Sequence, residues 1–230
     1  MMDSKEFVMD DTVSRRGFVR ILGMAGGVMA NWGAAAQPGP LGVSNSANSR
    51  LFTFIGGETG NWSITETRRI TGDPWTPARK LTVVNGPASD LAGAKWLLRG
   101  VTSNERYVTR ADKNELVNRQ EGLGRPDAVH AALIPIRKNA AWWALTQDER
   151  RSVFEEQSHH TAIGLKYLPA VARRLHHTRD LGTDEPFDFL TWFEFTKSNA
   201  DAFDRLLADL RATKEWTYVE RETEIRLVRD

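Results

Sequence analysis

Cysteine is absent from the 230 residues. Its absence excludes disulfides, thiolate metal ligands, iron–sulfur clusters and covalent haem attachment through a Cys-x-x-Cys-His motif. Any haem would have to be held non-covalently, through a side chain such as His or Tyr. An excess of either charge is also lacking: 31 Lys and Arg stand against 30 Asp and Glu, a formal net charge of +1. Composition therefore supplies no electrostatic reason to expect nucleic acid. A bilayer-spanning helix needs about 20 predominantly apolar residues. The best candidate, residues 18–30, is short, glycine-rich and interrupted by Arg20. Zinc finds little here, because a zinc site needs three or four clustered ligands. There is no His-Glu-x-x-His motif, and the pairs His159-His160 and His176-His177 lie 17 residues apart (176 − 159).

What is present is ordinary globular usage, 40% apolar and 27% charged, with eight tryptophans. The length suits one sizeable domain or two small lobes. At the N-terminus, Ser14-Arg15-Arg16-Gly17-Phe18-Val19 reads as a twin-arginine export signal, a route for proteins that leave the cytoplasm folded. Ala34-Ala35-Ala36 has the small-x-small form of a signal-peptidase site. Gln37 would then begin a mature chain of 194 residues (230 − 36) in the periplasm. Residues 37–50, rich in Pro, Gly, Ser and Asn, read as a flexible leader.

The apolar pattern predicts strands over 51–55 and 62–70, then mostly loop over 72–94. A hairpin pair is expected over 96–102 and 105–109. Thr109 can cap a helix over 111–121 that Gly122 ends. A strand over 130–137 follows. Thr146 and Glu149 form a capping box, which opens a helical region expected to run to about residue 179, bent near Pro169. Residues 187–195 alternate, with Phe187, Phe189, Thr191, Phe193 and Phe195 on one face. Ser198 and Asp201 begin a helix with apolar Phe203, Leu206, Leu207 and Leu210, and a last strand covers 216–229. This order is α+β with antiparallel sheets and resembles two tandem ferredoxin-like units.

Three clusters carry chemistry. His159 and His160 are metal-competent imidazoles, but adjacent helical residues point about 100° apart, so at most one faces any site. On spacing alone the commoner reading is a solvated pair. Arg173 and Arg174 sit among apolar neighbours, and an inward arginine needs an anion; two solvated arginines are the usual case. Lys138 ends an apolar strand just before Trp142 and Trp143, which must divide between a core face and a pocket face.

Together, the blocks 134–143, 155–161, 168–175, 189–195 and 210–216 resemble the chlorite dismutase family, from about Leu51 to the C-terminus. The resemblance implies a dimeric α+β barrel type of fold: a truncated N-terminal half over 51–125 and a haem-binding C-terminal half over 126–230. It implies haem b with His160 as the iron ligand, Glu215 accepting from the other ring nitrogen, and Lys138 paired with Glu215. Arg173 matches the distal arginine of chlorite-degrading members. Thr191, Phe193 and Leu175 match the distal wall, and Trp142 and Trp143 match aromatic positions near the haem. Tyr107 matches a propionate contact. The activity so implied converts chlorite to chloride and O2 through ferryl haem and transient hypochlorite, in a homo-oligomer of the short, dimer-type branch. The competing readings are an exported haem peroxidase, a non-catalytic haem-binding protein and a coproporphyrin haem decarboxylase. Dye-decolourising peroxidases carry a Gly-x-x-Asp-Gly motif that is missing here.

The export reading has a direct check. Mass spectrometry of the periplasmic protein should find Gln37, or a residue close to it, at the N-terminus. Replacing Arg15 and Arg16 with Lys should trap a full-length cytoplasmic precursor. An intact Met1 on an otherwise normal periplasmic pool would refute it.

Overall fold

The computed structural model describes residues 50–88, 92–102, 106–182 and 184–230. The export signal and nearly all of the leader lie outside these residues. Eight strands form a closed antiparallel barrel. They are β1 (Leu51–Gly57), β2 (Trp62–Thr71), β3 (Lys80–Asn85), β4 (Trp96–Val101), β5 (His130–Lys138), β6 (Val171–His177), β7 (Phe189–Phe195) and β8 (Val219–Arg229). Around the barrel the order is β1-β3-β2-β8-β5-β7-β6-β4. The first four strands therefore run 4-1-3-2, and the last four repeat that order as 8-5-7-6. The two halves join through a long β2–β8 ladder with two bulges and through β4–β6, which share one register pair, Val101 opposite His177.

Strands β5 and β7 are buried on both faces along most of their length, because the barrel core lies on one side and helices on the other. In β5, Ala131 and Leu133 join the interior cluster, while Ala132, Ile134 and Ile136 pack outward. That double burial explains the continuous apolar run, where a one-sided sheet would alternate. The outer layer is α5 (Ala200–Arg211), whose Phe203, Leu206, Leu207 and Leu210 are all buried, as its apolar spacing predicted. Phe193 and Phe195 of β7 meet Phe203 edge-on and face-on respectively.

Between β5 and β6 the chain forms α2 (Ala140–Ala144), α3 (Gln147–Arg151), a π-helical turn (Ser152–Gln157) and α4 (His160–Lys166). The connection from β1 to β2 spans four residues and holds no helix, so the first half is the leaner one. α1 (Arg110–Arg119) leads from β4 toward β5. Thr109 caps it in a capping box with Asp112, and none of its residues is buried.

Several expectations need correction. Residues 171–177 are strand β6, not helix. Their Ala, Arg and Leu content favours helix locally, but Pro169 brings no N–H to continue one. Pairing with β7 along seven register positions decides the outcome. The stretch taken as loop contains β3, whose Leu-Thr-Val-Val core suits a strand. β4 pairs with β1, not with the residues that follow it. Phe187 lies in the barrel interior rather than on the outer face of Phe193 and Phe195. Residues 215–218 form a 3-10 turn, and the last strand begins at Val219.

Candidate functional site

Beside the outer face of β5, β6 and β7 lies a cavity of about 700 Å³, a size typical of small-molecule and cofactor sites. His160, Lys138, Glu215, Trp142, Trp143, Tyr107, Arg173, Leu175, Thr191 and Phe193 all line it. Residues more than 100 positions apart in the chain thus meet at one place. The cavity does not belong to the second half alone, because Phe52, Thr102 and the stretch 106–122 also contribute to its walls.

Glu215 is the hub. It is 5% exposed, yet it stays ionised. Its Oε2 lies 2.6 Å from His160 Nδ1, and its Oε1 accepts from Lys138 Nζ at 2.8 Å. The Glu215 backbone N–H donates to Ser158 Oγ at 2.8 Å. Burial alone would raise this carboxyl. The opposing charges and hydrogen bonds of His160 and Lys138 outweigh burial and hold it down at about 2. Because Glu215 accepts only, the Nδ1 atom carries the proton, and Nε2 is the ring nitrogen not engaged by this bond.

Lys138 is equally confined. Its backbone N–H donates to Asp188 Oδ2 at 2.7 Å, and its ammonium lies 4.8 Å from the Trp142 ring and 5.4 Å from the Trp216 ring. The adjacent tryptophans divide as two neighbours on a helix must. Trp142 is buried, whereas Trp143 is half-buried between the Arg179 and Arg150 guanidiniums at 3.9 and 5.5 Å. Asn139 caps α2 through its side chain, which accepts from the Trp142 N–H and fixes where the pair starts.

The two arginines of β6 follow strand alternation. Arg173 faces the helix layer and donates from Nη1 to the Gly164 carbonyl at 3.1 Å. A Cβ on Gly164 would lie 2.2 Å from its Nη2, so only glycine lets the guanidinium approach α4. Desolvation draws Arg173 down to about 10, which still leaves it charged at neutral pH. Arg174 points the other way, donates from Nε to His176 Nε2 at 3.0 Å, and lies 3.8 Å from the Phe52 ring centroid. Burial pushes His176 down to about 3, and it holds a proton on Nδ1 toward the Leu190 carbonyl. Arg173 has no carboxylate partner among the described residues, whereas Arg174 feels the charge of Glu194.

Phe193 is buried and forms a dry wall, whereas Leu175 is 42% exposed and forms part of the rim. Tyr107 has a left-handed backbone, φ 70°, and donates to Gln147 Oε1 at 3.1 Å. His159 is exposed, also left-handed at φ 51°, and starts α4 so that His160 is its first residue. Sequence reading missed Phe154, which stacks on the His160 ring at 4.1 Å and 19°. It also missed Ser158, Asp188 and Gly164. Nothing in local periodicity marks them, because their roles come from a π-turn and from strands that are distant in the chain.

Comparison with known proteins gives a consistent picture. A family model described as chlorite dismutase matches residues 84–229, more than half of the chain. A chlorite dismutase from Ideonella dechloratans is 32% identical over 128 residues, 53% of this chain and 40% of that protein's length. The matched stretch is thus well under half of that relative. A crystal structure of dimeric chlorite dismutases from Nitrobacter winogradskyi matches at 53% identity and a TM-score of 0.72. It covers 77% of this chain and 99% of the other. Chlorite dismutase from Candidatus Nitrospira defluvii, in complex with imidazole, has the same fold at 22% identity and a TM-score of 0.57, over 80% and 92% of the two chains.

The hub predicts a pH signature. A carboxyl held at about 2 rather than 4.5 contributes about 3 kcal/mol of stability at neutral pH. The folded state binds this proton more weakly than the unfolded chain does. The contribution is therefore complete above pH 4.5 and is lost as pH falls toward 2. Glu215→Gln should be less stable than wild type at pH 7, and the gap should close across that window in denaturant midpoints. A gap that does not vary with pH would mean that the carboxylate charge is not what the hub holds.

Proposed function

Because this chain belongs to the chlorite dismutase family, we propose that it is a haem b enzyme that converts chlorite to chloride and O2. One observation carries this reading. A single cavity holds an imidazole tied by a buried carboxylate and an arginine that no carboxylate neutralises.

The residues fit the cofactor. His160 Nδ1 is committed to Glu215, which leaves Nε2 as the donor to iron. Among the described residues no group of three or more His, Cys, Asp or Glu is placed to hold a bare metal ion. A metal here would need a carrier that supplies most of its ligands, as a porphyrin does. Ile134, Ile136, Phe193, Leu206 and Leu207 supply apolar walls for a flat ring. Tyr107 at the cavity edge is the residue we assign to a propionate.

When bound, haem b would supply the redox-active iron for oxygen-atom transfer from chlorite, with chloride and O2 as products. The chain does the rest. Glu215 keeps the proton on Nδ1 and lends negative character to the imidazole, which makes Nε2 a stronger donor. Lys138 neutralises Glu215, so the carboxylate survives burial. Arg173 draws a monovalent anion into the cavity and holds hypochlorite there until it recombines. Phe193 and Thr191 exclude water along one wall.

The strand orders 4-1-3-2 and 8-5-7-6 support two tandem ferredoxin-like units, the first without a helix between its first two strands. The described dimer of the Nitrobacter winogradskyi relative supports a homodimer. We place the mature enzyme in the periplasm, on the strength of the N-terminal signal. Oxygen release on adding chlorite separates this reading from a non-catalytic haem binder, a peroxidase or a decarboxylase.

His160→Ala should lose the haem band on reconstitution, while His159→Ala, at an exposed site, should keep it. Soret absorbance decides this, and loss in the His159 variant alone would reverse the ligand assignment.

Arg173→Ala should keep haem and lose chlorite efficiency. One charge-assisted hydrogen bond is worth about 1.5–3 kcal/mol, or roughly 10- to 150-fold. More free hypochlorite should also shorten the working life of this variant. Oxygen evolution with and without a hypochlorite scavenger tests both points, and wild-type efficiency and lifetime would remove Arg173 from this role.

A further inference from the structure

The His160–Glu215 hydrogen bond fixes one atom of the imidazole. Held at Cβ and at Nδ1, the ring can still rock about the Cβ–Cγ bond within the angular tolerance of a hydrogen bond, so the bond alone does not fix the plane of the ring. A second contact does. The Phe154 ring lies face to face with His160, centroids 4.1 Å apart and planes 19° apart. Phe154 also meets Tyr107 at 5.7 Å and 51°, so it contacts two rings that line the cavity.

The backbone is built to make this stack. Six residues along an ideal α-helix rotate by about 600°, which leaves positions 154 and 160 about 120° apart on the helix surface. Two irregularities bring them together. The turn Ser152–Gln157 is π-helical, and His159 adopts a left-handed conformation before α4 begins. The same device brings Ser158 Oγ to the Glu215 backbone N–H. Single π-turns are costly local deviations that recur at functional sites, and this one serves both partners of the hub.

We propose that Phe154 is a positioning residue that fixes the plane of the His160 imidazole, and so the orientation in which His160 presents Nε2 to the cavity. This rests on the reading of His160 as the haem ligand. With iron bound at Nε2, the plane of the imidazole would determine which of the iron dπ orbitals its π system overlaps. A pivoting imidazole gives a spread of ligand fields, and a clamped one gives a single field.

Phe154→Leu removes the flat face and keeps most of the volume, and Phe154→Tyr restores the face. In the haem-free protein, NMR should show the His160 ring protons shifted by the Phe154 ring current in wild type and in Phe154→Tyr, with that shift lost in Phe154→Leu. In the haem-loaded protein, ferric electron paramagnetic resonance should give one narrow rhombic signal in wild type and Phe154→Tyr, and a broad distribution in Phe154→Leu. Loss of the stack should also weaken haem binding by about 2- to 12-fold. An unchanged His160 shift in Phe154→Leu overturns the stack. A lost shift with an unchanged resonance signal overturns the orienting role. If His160→Ala takes up haem with the wild-type signal, the proposal falls with the ligand reading, and the haem-free NMR arm identifies that as the cause.

Discussion

A carboxylate buried out of reach of water is stable only if its charge is met, and the organisation of this site follows from how Glu215 meets that requirement. Oε1 receives an ammonium, Oε2 receives a ring N–H, and the backbone N–H of the same residue is anchored to a serine hydroxyl. The partners lie 77, 55 and 57 residues away in the chain. Removing one partner from a buried pair costs about 3–5 kcal/mol, so β5, α4 and the turn before β8 must hold their relative positions. The Glu215–Lys138 pair also has a net charge near zero, so the carboxylate brings no unmatched charge into the core.

The support extends below the hub. Trp216, one residue on, lies under the Lys138 ammonium and donates from its indole N–H to Glu222 Oε2 at 2.8 Å. Glu222 and Glu224 of β8 are fully buried, and Arg211 at the end of α5 bridges them at 2.6 and 2.8 Å. The helix whose apolar face closes the outer core therefore also neutralises the acids that seat Trp216. Apolar packing sets where α5 lies, and the ion pairs at its C-terminal end set its register over β8.

How much of this was legible in the sequence depended on whether a residue's partners were local. The apolar face of α5 was readable because its four buried residues follow helical spacing, and the Thr109 and Thr146 caps were readable because each box spans three residues. Strand β6 was not. Its composition favours helix, and the seven pairings to β7 that make it a strand are a tertiary fact. The resemblance named ten site residues, and the structure gathers all ten around one cavity. It gave no hint of Phe154 and assigned no role to Ser158, and the positions of both depend on a π-turn that no periodic pattern announces. Nor did it distinguish Arg173 from Arg174 by environment. Alternation along a strand does so, placing one against α4 and the other inside the barrel on a neutral histidine.

The last step concerns charge. The chain as a whole is nearly neutral, so long-range attraction of an anion cannot come from net charge. Among the described residues lining the cavity, Arg106, Lys138, Arg150, Arg173 and Arg174 face only two carboxylates, Glu121 and Glu215. Glu215 is already matched by Lys138, Arg106 by Asp180, and Glu121 by Arg125 outside the cavity. Arg150 and Arg173 have no acidic partner among the described residues, whereas Arg174 feels the charge of Glu194. The field that matters is local, produced chiefly by the Arg150 and Arg173 guanidiniums beside apolar walls that focus it. At physiological salt the screening length is about 8 Å, shorter than the span of such a cavity. Exposed charge elsewhere on the chain therefore contributes little at its centre. In the proposed function the anion meets Arg173, which approaches α4 where a glycine makes room for it.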